Sequence, residues 1–193
     1  MKIYCIPGLG FDHRIFSKLD LQNYDVEYIN WIEPRDQEDW NSYAKRIAKN
    51  IDDTQECVLI GHSLGGLLCQ EIASFKKIYK IILISSIKSR KELPFHFKII
   101  QPLRLQYLFT KQFTFFTFPF WAKQQDYKTK EAQTLFKSMI SHQSNKYLRW
   151  ALSKLSIWKA PKMSNSTPVF QLHGSLDKTF PISLIQSSTD FIP

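Results

Sequence analysis

The stretch Val58-Leu59-Ile60-Gly61-His62-Ser63-Leu64-Gly65-Gly66 constrains this chain more than any other. Three apolar β-formers lead straight into Gly61, and Leu64, Leu67, Leu68, Ile72 and Phe75 then recur at helical spacing. A Gly-His-Ser-Leu-Gly turn between a strand and a helix presents a serine at its tip, which makes Ser63 the candidate nucleophile. A serine there sits in a strained backbone conformation, and side chains on its flanks would strike the neighbouring strand or helix. Gly61 and Gly65 remove those side chains, and Gly66 lets the helix lie close to the sheet. The helix N-terminus behind Ser63 offers open N–H groups to a developing negative charge. The competing reading is a Gly-Ser turn with no chemistry.

Around this stretch the chain alternates strands and helices. Residues 2–6 read as a strand that is almost wholly apolar, and residues 25–31 as a second, with Val26, Tyr28 and Ile29 as β-formers. Trp40, Tyr43, Ala44, Ile47, Ala48 and Ile51 trace one helical stripe, opened by acidic residues at 36–39. Residues 57–61 form the central strand and 78–86 the next, continuously apolar from Ile81 to Ile84. Residues 168–173 give the last clear strand, and Pro181-Ile182 opens a short helix. Near-continuous apolar strands alternating with helices predict an α/β fold: a mainly parallel, doubly wound sheet. Ligands of such sheets sit outside the carboxyl ends of the strands, where Ser63 lies.

From residue 88 the alternation stops. Phe95, Phe97, Tyr107, Phe113, Phe116 and Phe120 are among the aromatics that crowd a basic, helix-like segment. Leu135, Phe136, Met139 and Ile140, then Tyr147, Leu148, Ala151, Leu152 and Leu155, predict two helices. Residues 88–166 therefore read as a helical lid inserted into a core made of 1–87 and 167–193. Of the 26 basic and 17 acidic residues, 15 and 3 fall in 88–162, a local charge of +12 against −3 for the remainder. A block of one sign concentrates anionic ligands or surfaces, or is simply a solvated exterior. Aromatic and basic residues together also suggest a membrane-surface element, but no clean amphipathic stripe spans 113–121. No helix-turn-helix, RRM or zinc spacing accompanies the charge, so no specific nucleic acid is expected.

The remaining composition bounds the setting. The 193 residues suffice for one domain with a real core. No apolar run is long enough for a transmembrane segment, and the first five residues are too short in apolar length for a signal peptide. Cys5, Cys57 and Cys69 are odd in number and lie mostly in strand-like runs, which reads as reduced core thiols of a cytoplasmic protein. No His/Cys cluster has ligand spacing, so neither a metal nor another cofactor is expected.

With Pro7-Gly8-Leu9-Gly10, Gly61-His62-Ser63-Leu64-Gly65-Gly66 and His173-Gly174-Ser175-Leu176-Asp177 in that order, the chain resembles the α/β-hydrolases, which include esterases, lipases, thioesterases and carbon–carbon bond hydrolases. The resemblance implies a serine hydrolase acting on an ester or thioester through an acyl-enzyme on Ser63. It implies that the N–H group of Leu9, or that of Gly10, pairs with that of Leu64 to form the oxyanion hole and that Asp177 orients a catalytic imidazole. Gly8, Gly10, Phe11 and His62 are the implied pocket residues. The aromatics read first as the lid's own core; their density also suggests an acyl-chain substrate, and the basic coat an anionic one.

One departure from the pattern stands out. Similar hydrolases carry the catalytic His about 20–30 residues after the acid, at the end of one more strand. None of the five histidines, His13, His62, His96, His142 and His173, follows Asp177. His62 should point away from Ser63, and His173 reads as structural. The last strand and closing helix are expected to be missing as well. The alternative function is therefore a truncated or noncatalytic relative that binds a ligand. A third route, in which His13 or His142 reaches Ser63, is the least favoured.

Overall fold

The computed structural model describes residues 1–122, 127, 129–163, 167–186 and 190–192. Its strands are β1 (Lys2–Ile6), β2 (Asp25–Tyr28), β3 (Cys57–His62), β4 (Lys80–Ile84), β5 (Val169–Gly174) and β6 (Asp190–Ile192). They form one sheet in the order β2-β1-β3-β4-β5-β6, with every pairing parallel. β3 lies inside, with Val58 opposite Ile3 on one side and Lys80 on the other.

The pleat sends alternate side chains to opposite faces. Tyr4, Ile6, Leu59, Ile81 and Leu83 enter the large core cluster, whereas Ile3, Cys5, Val58 and Ile60 join Phe16 in a smaller one. Burial on both faces is why β1 and β3 read as unbroken apolar runs. The two faces are not equally covered. Helix α1 (Trp40–Ile47) and helix α2 (Leu64–Ala73) supply much of the large cluster. A short 3-10 helix, His13–Phe16, brings Phe16 to the other face, where Ile82 and Ile84 stay half-buried and Phe170 is exposed. The cysteines are free and buried in β1, β3 and α2, and burial pushes the Cys5 thiol up to about 12.

Between β4 and β5 the chain runs through α3 (Phe95–Lys98), α4 (Lys111–Trp121), α5 (Lys130–Ser141) and α6 (Asn145–Ile157). Thr110, Thr129 and Ser144 cap the last three, each hydroxyl accepting the N–H three residues on. α6 packs on α1, with the Trp150 and Tyr43 rings 4.2 Å apart. Among the described residues no helix is long and apolar enough to cross a membrane.

Three boundaries differ from expectation. β2 ends at Tyr28 rather than 31, because Trp31 turns away to donate its indole N–H to the Gly8 carbonyl at 3.0 Å, and Tyr43 brackets Ile32. The first helix closes at Ile47 and tightens into a 3-10 turn, Ala48–Asn50. The strand expected to be missing after the acid is present in short form: Asp190–Ile192 pair with Leu172–Gly174.

Candidate active site

Ser63 follows β3 and precedes α2, with φ 49° and ψ −119°. A non-glycine residue at positive φ carries strain, and the surrounding backbone holds it there. Its N–H donates to the Ile84 carbonyl at 2.9 Å. Its carbonyl accepts from the Gly66 N–H at 3.0 Å and from the Ser86 hydroxyl at 2.6 Å. The turn works only with its glycines. A Cβ on Gly65 would overlap the carbonyl oxygens of Ile6 and Pro7, and one on Gly61 would stand 2.5 Å from Gly66 Cα.

The loop after β1 passes beside this turn. The Gly8 carbonyl accepts the Phe11 N–H at 3.1 Å as well as the Trp31 indole, which pins residues 8–11. Among the described residues no hydrogen bond occupies the N–H of Leu9 or of Leu64. Both residues line a cavity of about 620 Å³, together with Phe11, His62, Ser63 and Asp177. Gly8 and Gly10, expected in the pocket, do not line it: Gly8 backs onto His62 and Ser63, and Gly10 lies against Ile140.

Asp177 reaches the cavity from the loop after β5. Its Oδ1 accepts the N–H groups of Thr179 and Phe180 at 2.8 and 2.9 Å, which folds the loop around the carboxylate. The buried His173 ring lies behind it, with Nε2 3.4 Å from Asp177 Oδ2 and 2.6 Å from the Phe180 carbonyl oxygen. A carbonyl only accepts, so Nε2 carries a proton, while Nδ1 is buried without a hydrogen-bond partner. His173 thus braces the loop that carries Asp177.

The histidines separate clearly. His13 is exposed beside Tyr28, His142 is exposed on the Ser138 carbonyl, and His96 lies against Phe97. None of the three lines the cavity, so the route through His13 or His142 finds no geometric footing. His62, expected to point away from Ser63, lies in the wall of the cavity that Ser63 lines. The Phe11 ring meets it edge-on at 5.5 Å, and its Nδ1 is shut from water without a partner. Although the residue keeps some exposure to the cavity, burial lowers its pKa to about 4, against a weaker opposing pull from Asp177.

Sequence reasoning missed several wall residues: Ser85, Phe97, Leu155 and Phe180. Phe97 and Leu155 come from α3 and α6. Only the general aromatic density hinted at them. Ser86, which holds the Ser63 carbonyl, left no signal at all. Among the described residues no three His, Cys, Asp or Glu side chains cluster as a metal site.

No protein-family model matches the sequence, and no curated protein matches it. Solved structures do. A hydrolase from Pseudomonas aeruginosa is similar at TM-score 0.75 and 13% identity, covering 100% of this chain and 81% of that one. MenH from S. aureus is similar at 0.72 and 16%, covering 100% and 84%. A malate-bound thermophilic esterase from Thermogutta terrifontis is similar at 0.70 and 15%, covering 99% and 79%. At such identities the likeness speaks for the fold.

Proposed function

We propose that this chain, which has the α/β-hydrolase fold, is a serine hydrolase of an ester or thioester that works through an acyl-enzyme on Ser63. The observation that carries this reading is Ser63 held at positive φ on a cavity wall shared with Asp177. Ser63 Oγ would attack the acyl carbon as its proton passes to an imidazole oriented by Asp177, a base that none of the five histidines here is placed to supply. The carbonyl oxygen would become an oxyanion facing the N–H groups of Leu9 and Leu64, each such donor being worth roughly 10²–10³ in rate. The alcohol or thiol then leaves, and water releases the acid. The apolar side chains of Leu9, Phe11, Phe97, Leu155 and Phe180 favour an acyl chain, and Lys178 on the same wall favours an anionic group. Because Phe97 and Leu155 lie within 88–166, we read that segment as a lid. The three unpaired, buried thiols support a cytoplasmic setting.

A second reading is favoured by the imidazoles. His173 is committed to the Phe180 carbonyl, and His62, with a pKa near 4, accepts protons weakly at neutral pH. On that reading the cavity binds an acyl ligand without turnover. A fluorophosphonate probe separates the two. The hydrolase reading expects covalent labelling that Ser63→Ala abolishes. Saturable binding of a fatty acyl ligand with no labelling would overturn it in favour of the binding module.

A further inference from the structure

We propose that the outward face of α4, with the turn before it, is a docking surface for an anionic lipid bilayer. The proposal stands independently of any catalysis at Ser63.

α4 is apolar on two sides. Phe118 and Thr114 turn into the protein, with Phe118 1% exposed. Phe113, Phe116 and Phe120 fall at i, i+3 and i+7, one helical face, and they point to solvent at 40%, 74% and 76% exposure. The face continues backward along the chain. Phe109 packs on Phe113 with ring centroids 6.0 Å apart, and Tyr107 and Leu108 beside it are exposed. Contiguous exposed aromatics of this size on one surface mark an interaction site.

Charge selects the occupant. Residues 95–120 contain Lys98, Arg104 and Lys111 and no Asp or Glu. They lie in a segment, 88–162, that carries +12. A second copy of the chain would bring two such segments together, like charge against like. An anionic bilayer instead attracts them, while phenylalanines enter the boundary of headgroups and acyl chains without needing a matching pocket.

Vesicle flotation tests this, using phosphatidylcholine vesicles with and without phosphatidylglycerol. The wild-type protein is expected to float with the phosphatidylglycerol vesicles, less so at high salt. Phe116→Ser with Phe120→Ser removes the apolar contact without changing charge and is expected to lower partitioning about tenfold or more. Lys98→Gln with Arg104→Gln is expected to lower it several-fold through charge alone. Any of three results overturns the proposal: no wild-type binding, equal partitioning to both vesicle types, or partitioning that the phenylalanine pair leaves unchanged. A dimer seen by light scattering that the phenylalanine pair makes monomeric also overturns it, by giving the face to a second copy.

Discussion

His62 shows how a single buried ring sets a pH limit. Its ordinary pKa of 6.5 is lowered to about 4 in the folded protein, first by burial and against a smaller opposing effect of Asp177. Below about pH 6.5 the unfolded chain therefore binds a proton that the folded one refuses. Stability is present above that pH and falls as pH drops toward 4, by on the order of 3 kcal/mol across the window. Urea unfolding of wild type and His62→Gln between about pH 7 and pH 5 measures this. The wild-type slope should be clearly steeper, since glutamine has nothing to titrate. Equal slopes would show that the ring takes its proton freely.

At the scale of the element, α4 carries one residue type in two environments. Phe118 stacks on Phe136 with ring centroids 5.1 Å apart and planes within 9°. Phe118→Ala should cost about 3–5 kcal/mol by denaturant unfolding, whereas Phe116→Ala, on the exposed face, should stay within about 0.5 kcal/mol. This duality also explains why the helix was hard to read. A stripe is visible in a sequence only when the opposite face is polar, and in α4 both faces are aromatic. α1 and α6, with solvated outer faces, showed their stripes. β1 and β3 were legible because burial on both sides leaves an unbroken apolar run, and the glycines around Ser63 declared the turn. β2 was read too long because the departure of Trp31 toward Gly8 is a tertiary event. Ser63, Leu9, Leu64, Phe11, His62 and Asp177 were expected near one another and line one cavity, whereas Gly8 and Gly10, expected with them, lie outside its lining. Ser86, Phe97 and Phe180 were not, since their places depend on how distant segments meet.

For the whole molecule, the order of strands sets the order of opening. β3 is paired on both sides and buried along Cys57 to Ile60, whereas β2 sits at the edge with no fully buried residue among its four. Amide exchange in β3 should be about tenfold slower or more than in β2. Comparable rates would mean that the sheet opens as a single unit. The centre also holds Cys5, Cys57 and Cys69, all buried and none in a disulfide. A neutral sulfur walled off from water is a poor target for alkylating agents or peroxide. The three therefore amount to a built-in clock: a thiol-reactive dye reaches them only while the middle of the protein is parted, so its reaction rate counts those partings.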